Sequence, residues 1–263
     1  MTLVMGIVNV TPDSFSDGGR WDTADAAVAH ARELLGQGAG IIDVGGESTR
    51  PGAERVGEEE ELRRVVPVVA ALAEVGATVS VDTMRASVAS RAVAAGAAIV
   101  NDVSGGRADP RMLEVVASSG AQMVIMHWRA HSSTMQDQTD YDDVVSDVTR
   151  ELVAQRDAAL AAGIPADRII LDPGIGFSKT LQQNWVLLRH LERFQGLGHR
   201  LLVGASRKGF LGEVLGGRPA DDRDVATAAV TAWCAAHGVW AVRTHEVEMQ
   251  IDAVAVGARI RSA

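Results

Sequence analysis

At 263 residues, with 47% hydrophobic and 22% charged side chains, the chain is long enough for one large layered domain and too apolar to be disordered. A formal net charge of −9 argues against a nucleic-acid binder, which needs a basic face against phosphates, but leaves room for a local basic pocket holding a small anion. Aromatic residues are only 4%, so the core must be filled by Ala, Val, Leu and Ile, as suits helices packed on a buried parallel sheet.

Short β-branched runs alternate with longer segments of helical period. The first strand is predicted over Leu3–Asn9, followed by a helix over Thr23–Gln37. A strand over Gly40–Val44 precedes a helix over Glu58–Val75, whose opening carboxylates, Glu58 to Glu61, complement the positive end of the helix dipole. The pattern continues with a strand at Thr78–Asp82, a helix at Arg85–Ala95, a strand at Ala98–Asn101 and a helix at Pro110–Ser119. Then come a strand at Gln122–His127, a helix at Tyr141–Ala162, a strand at Arg168–Asp172 and a helix at Leu181–Arg193. A strand at Leu201–Ala205, a helix at Asp222–His237, a strand at Val239–Arg243 and a helix at Val247–Arg261 complete the series. Glycines at 36, 38, 76, 96, 120, 163 and 238 fall where helices should close before the next strand. The run Gly36-Gln37-Gly38-Ala39-Gly40 precedes a strand, so it is a helix cap and not a dinucleotide fingerprint.

Eight strand–helix units in this length predict a single-domain (β/α)8 barrel over residues 1–263; a doubly wound open sheet is the alternative topology. Two strand–helix loops, residues 11–21 and 45–57, are long and rich in Gly, Pro, Ser, Thr and Asp, as mobile functional loops of a barrel are. No apolar run approaches the roughly 20 residues of a membrane span. Residues Met1–Val10 lack the basic region of a secretory signal, and the one cysteine, Cys234, sits unpartnered in an apolar helical stretch. A cytoplasmic setting, with no membrane or nucleic-acid partner, is expected.

The strands end on polar groups: Asn9, Asp43, Asp82, Asn101-Asp102, His127, Asp172, Ser206-Arg207-Lys208, Arg243 and His245. An isolated charge is costly in a buried strand, and in a barrel these ends meet at one mouth. Asp82, Asn101 and Asp172 suit a flat heterocycle whose guanidine-like edge presents N–H donors. Arg50, Arg243, His245 and the amide of Asn9 suit phosphate, with the Asn oxygen able to add one ligand to Mg²⁺, and Lys208 fits either set.

Two long segments carry a resemblance. Met5-Gly6-Ile7-Val8-Asn9-Val10-Thr11-Pro12-Asp13-Ser14-Phe15-Ser16-Asp17-Gly18-Gly19 resembles the first signature of the dihydropteroate synthase family, and Asp43-Val44-Gly45-Gly46-Glu47-Ser48-Thr49-Arg50-Pro51-Gly52 the second. Ser80-Val81-Asp82-Thr83, Asn101-Asp102-Val103-Ser104-Gly105, Met126-His127, Asp172-Pro173-Gly174-Ile175-Gly176-Phe177, Gly204-Ala205-Ser206-Arg207-Lys208 and Arg243-Thr244-His245 follow in family order. The resemblance implies a transferase of folate synthesis that joins 7,8-dihydropterin-6-ylmethyl diphosphate to 4-aminobenzoate, releasing diphosphate. It assigns Asp82, Asn101, Asp172 and Lys208 to the pterin, with Met126 as a wall; Asn9 to Mg²⁺; and Thr49, Arg50, Arg243 and His245 to the diphosphate, with Thr244 a further substrate-binding candidate. Phe15, Pro51, Phe177 and Ser206 are the candidates for the aminobenzoate pocket. Asp17, Lys208, Arg243 and His245 are the candidates for catalysis, Asp17 as the stabiliser of a cationic pterin intermediate. Family analogy also implies a homodimer pairing through late helices.

Departures are mild: Thr244 stands where the family more often has Val, and Glu246 where Asp is common. Two other activities remain to be distinguished. A methyltransferase on the same barrel would lack Arg50, Arg243 and His245, and a non-catalytic paralogue would lose Asn9 or Lys208; all are present. Some strand-end residues have simpler readings. Asp43 is equally a buried acceptor, Asp102 a local cap, and Met126 core packing. Asp82 and Asp172 as salt-bridge partners of Lys208 is the structural alternative. His127 and His131 stand four apart, but Trp128 between them is not the Glu of a zinc hydrolase motif and no third ligand is evident.

Overall fold

The computed structural model describes residues 1–11, 22–47 and 56–263. Eight parallel strands close into a barrel in chain order. They are β1 Leu3–Asn9, β2 Ile41–Gly45, β3 Val79–Asp82, β4 Ile99–Asp102, β5 Gln122–Met126, β6 Ile169–Asp172, β7 Arg200–Val203 and β8 Ala241–Thr244. Closure pairs β1 with β8, Met5 opposite Arg243, and this excludes the open-sheet alternative. The helices are α1 Asp22–Gly36, α2 Glu58–Glu74, α3 Ala86–Ala94, α4 Met112–Ser119, α5 Val144–Ala161, α6 Leu181–Arg189, α7 Leu191–Gln195, α8 Gly209–Val214, α9 Asp224–Ala236 and α10 Glu248–Ser262.

Several boundaries differ from expectation for local reasons. The helix expected from Tyr141 starts at Val144, because the Asp143 carboxylate caps it by accepting the Ser146 N–H at 2.8 Å. The helix expected over 181–193 is two, since His190 leaves helical geometry at φ −116°, ψ 37°. Strand β7 ends at Val203, two residues early, where the chain turns into the 204–208 segment. The short α8 carries no amphipathic repeat long enough to read from sequence. Of the expected closing glycines, those at 38, 76, 96, 120, 163 and 238 have positive φ, whereas Gly36 is the last residue of α1.

Strand alternation divides the core in two. Val4, Val8, Ile42, Val44, Val79, Val81, Val100, Met123, Ile125, Leu171 and Val242 join the layer packed under the helices. Met5, Ile41, Ile99, Val124, Ile170, Leu202 and Ala241 form a separate aliphatic cluster. These seven lie on the opposite strand face, inside the barrel, and they make its floor. Two residues further along each strand, the same inward face carries Ile7 and then Asn9, Asp43, Asn101, Met126, Asp172, Gly204 and Arg243. On β3, Ser80 and Asp82 share that phase. The mouth is therefore the continuation of the floor, one pleat higher.

Candidate functional site

A cavity of about 610 Å³ opens at this end of the barrel. Its lining includes Asn9, Asn101, Met126, Asp172, Phe177, Ser206, Lys208, Arg243 and His245, all expected from the sequence. Phe15, Asp17, Thr49, Arg50 and Pro51, expected at the same mouth, lie outside the described residues.

On the β2–β3–β4–β8 side, Arg243 joins the acidic groups. Its Nε donates to Asp43 Oδ2 at 2.6 Å and its Nη2 to Asp82 Oδ2 at 2.8 Å. Asn101 Nδ2 donates to the same Asp43 oxygen at 2.9 Å, so Asp43 ties Asn101 and Arg243 together from below. Burial raises the Asp82 carboxyl well above the ordinary carboxylate range, Arg243 opposes this, and the nearby Asp43 charge adds to it. The Arg243 guanidinium, although desolvated, is held more firmly charged by Asp43 and Asp82. Arg243 was expected to face the diphosphate; here its fork faces the pterin-assigned Asp82.

The β6–β7 side has the opposite balance. Asp172 Oδ1 accepts the Gly174 N–H at 2.7 Å, and the carboxyl, raised by burial, is drawn back by Lys208. Lys208 donates from Nζ to the Ile175 carbonyl and lies 4.4 Å over the Phe177 ring. Burial lowers its ammonium to about 8, with Asp172 opposing. Gly176, at φ +85°, makes this approach possible: a Cβ there would stand 2.5 Å from Lys208 Cδ. Asn184 fixes the same turn by accepting the Gly176 N–H at 2.6 Å and donating to the Thr180 carbonyl at 2.8 Å.

Between the two sides, Ser206 Oγ lies 2.9 Å from His245 Nδ1 and accepts the His245 backbone N–H at 3.2 Å. Ser206, expected against aminobenzoate, thus also orients His245. Thr244 is buried, and its hydroxyl donates to the Glu246 carbonyl at 2.9 Å. Asp102 has the wrong strand phase for the mouth. It caps the following turn, accepting the Ser104 N–H at 2.7 Å and the Gly106 N–H at 2.9 Å. His127 also points away from the floor phase, and its Nε2 lies 2.9 Å from Glu151 Oε2 on α5. His131 packs edge-on to Trp128, with ring centroids 5.1 Å apart.

Sequence reasoning overlooked four groups here: Lys179, Asn184, Glu151 and Arg129. Lys179 lines the cavity, is 2% exposed, and contacts His127 Nδ1 at 3.1 Å and the Phe177 carbonyl at 2.8 Å. Arg85 was also overlooked. It donates to Glu47 at 2.7 Å and to the Val56 carbonyl at 2.5 Å, and it pairs with Glu61. Its partners therefore flank residues 48–55 on both sides. None of these residues ends a strand, which was the signal that exposed the others.

For a metal, the described residues offer no group of three His, Cys, Asp or Glu. Asn9 presents a neutral amide oxygen at the cavity wall instead. That fits Mg²⁺, which keeps waters and draws its other ligands from a substrate's phosphates.

An inward ring of carboxylates, an amide, a lysine and an arginine above an aliphatic barrel floor defines a binding site for a small polar heterocycle. The profile of the pterin binding enzymes matches residues 5–245, and the chain belongs to that family. It is 51% identical to the dihydropteroate synthase of Mycobacterium leprae, over 96% of this chain and 91% of the relative. It superposes on Xanthomonas albilineans dihydropteroate synthase with 4-aminobenzoic acid at TM-score 0.93 and 44% identity, covering 100% of this chain and 94% of that one. The same enzyme in complex with 7,8-dihydropteroate superposes at TM-score 0.90 and 42% identity, again over 100% and 94%.

Proposed function

We infer that this barrel is a transferase that condenses 7,8-dihydropterin-6-ylmethyl diphosphate with 4-aminobenzoate to give 7,8-dihydropteroate and diphosphate. One observation carries the reading: Asp82, Asn101 and Asp172 sit on the same inward strand face, at the level where a flat ring would rest above the floor. A carboxylate on each side accepts N–H groups of the pterin edge, and Lys208 donates to its oxygen. Met126 and Phe177 supply apolar walls.

The reaction breaks the C–O bond between the pterin methylene and the diphosphate, which leaves with the electron pair. The aniline nitrogen then bonds to that carbon and loses a proton to water or to the departed diphosphate. Arg243, His245, Thr49 and Arg50 are assigned to the diphosphate, and Asp17 to the cationic pterin left behind. Asn9 would hold Mg²⁺, which supplies positive charge beside the leaving group. Phe15, Pro51, Phe177 and Ser206 are assigned to the aminobenzoate. Arg243 donates to Asp43 and Asp82 through Nε and Nη2, and a guanidinium has further N–H donors with which to meet an anion.

Among the described residues no helix is long and apolar enough to cross a membrane. The buried free Cys234 supports a reducing, cytoplasmic setting. Exposed Val225 and Trp233 on α9, with Val256 and Ile260 on α10, support a homodimer through these helices. The test of the activity is diphosphate release from the pterin diphosphate, with and without 4-aminobenzoate and Mg²⁺. Aminobenzoate-dependent release with formation of dihydropteroate is expected, and folded protein that forms no such product would overturn the reading.

A further inference from the structure

The cavity contains a buried cation that the reaction does not use. Lys179 follows the turn that carries Asp172, Ile175 and Phe177, and its Nζ would stand 3.3 Å from a Cβ placed on Gly174. Gly174 is the residue whose N–H binds Asp172. Lys179 is therefore packed against the turn that follows the pterin-side carboxylate, and it holds that turn through the Phe177 carbonyl.

Its other contact fixes a proton. An ammonium at 3.1 Å from His127 Nδ1 can only donate to it, so His127 carries its proton on Nε2 and donates to Glu151 at 2.9 Å. Arg129 closes the chain: Nε reaches Glu151 Oε2 at 2.9 Å, Nη2 reaches Oε1 at 2.5 Å, and the guanidinium lies 3.7 Å over the Tyr141 ring. Burial, then the Lys179 charge, keeps His127 neutral, with its imidazolium pushed down to about 4. Burial raises the Glu151 carboxyl, but bonds from His127 and Arg129 outweigh this and hold it far below the usual range.

We propose that Lys179 is a positioning residue of the pterin site, a buried cation packed at Gly174 beside Asp172, whose hydrogen bonds fix the 173–178 turn that presents Phe177 and the Ile175 carbonyl to Lys208. This rests on the assignment of Asp172 to the pterin. The charges facing Lys179 are Asp172 from β6, Lys208 from the segment after β7, Glu151 from α5 and Arg129 from the segment after β5, with neutral His127 in contact. Burial lowers the Lys179 ammonium to about 7, Asp172 opposes this and Lys208 adds to it, so the charge is full in mildly acidic solution. There Asp172 most needs support, because its carboxyl is already raised by burial.

In Lys179→Met, the Asp172 carboxyl titrates higher, so binding of 7,8-dihydropterin-6-ylmethyl diphosphate without 4-aminobenzoate should weaken as pH falls. Calorimetric titration from pH 5.5 to 8.5 should place the acidic limb of the binding profile about one pH unit higher than in the wild type, as expected for loss of a nearby opposite charge. That is about tenfold weaker binding at the acid end and near-equal binding at pH 8.5. Titration of the ligand is common to both proteins and cancels. Lys179→Arg, keeping the charge, should restore the limb, and Lys179→Gln, neutral but polar, carries the same test should the methionine variant not fold. A uniform loss at all pH values, or an unmoved limb in the neutral variants, overturns the proposal. Wild-type protein that binds no pterin diphosphate overturns the proposed function instead.

Discussion

The two sides of the barrel mouth hold the same acid in opposite company. Asp82 shares one guanidinium with Asp43, so two carboxylates face one cation. Asp172 faces two lysines and a backbone N–H, so one carboxylate faces two cations. Burial pushes both acids up, but the company decides the outcome: the Asp43–Asp82 side is short of positive charge and the Asp172 side has a surplus. A heterocycle with a guanidine-like edge and a ring carbonyl is matched by this arrangement, N–H donors toward the carboxylates and the carbonyl oxygen toward Lys208.

Arg243→Met would break this comparison most severely. It leaves Asp43 and Asp82 buried without their cation, and removal of one partner of a buried pair costs about 3–5 kcal/mol. Denaturant unfolding should register that loss. The variant should also depend on pH in a defined direction. With no guanidinium, the Asp82 carboxyl rises further above its unfolded value, and the folded protein binds more protons than the unfolded chain. Its stability is therefore fully present below the ordinary carboxylate range and lost as pH rises toward and through neutrality. A variant whose deficit stays constant across that window would mean that Asp43 and Asp82 are not charge-coupled to Arg243.

That asymmetry was only partly legible in the sequence. The barrel was legible because each strand ends in a polar residue after a β-branched run, and because glycines punctuate every return. The row of Asn9, Asp82, Asn101, Asp172 and Arg243 was legible for the same reason. Strand phase was the unused signal: counting in twos from the floor residues Ile99, Val124 and Ile170 separates inward Asn101, Met126 and Asp172 from outward Asp102 and His127. Asp43 belongs inside by the same count, two residues beyond Ile41. Lys179, Asn184 and Glu151 escaped because no period governs a turn after a strand or a single polar side chain on the wall-facing side of a helix. They become visible only when β5, β6 and α5 are brought together.

Asn184→Ala sharpens the comparison on the lysine side alone. The side chain is buried, and its loss strands the Gly176 N–H and leaves the Thr180 carbonyl only the backbone N–H of residue 184. An unsatisfied buried group costs about 1–3 kcal/mol, which equilibrium unfolding would resolve. Because Gly176 packs on Lys208, the KM for the pterin substrate should rise as well, and hydrogen exchange at Gly176 should accelerate while that at Asn101 does not. Equal acceleration on both sides would show that the turn is not an independent support of Lys208.

The smallest effect belongs to the seam. Ser206 contacts both the imidazole and the backbone of His245 and touches neither acid cluster. Ser206→Ala removes an oriented hydrogen bond worth about 1 kcal/mol and should leave the fold intact. Since His245 is assigned to the leaving group and not to the ring, the loss should appear in turnover, as a fall of about fivefold in kcat. Pterin diphosphate affinity and the pH dependence of both carboxylate clusters should stay within twofold of the wild type. A shift in the acidic limb of pterin binding would instead place Ser206 in the charge balance of the mouth, and the two sides would then communicate through His245.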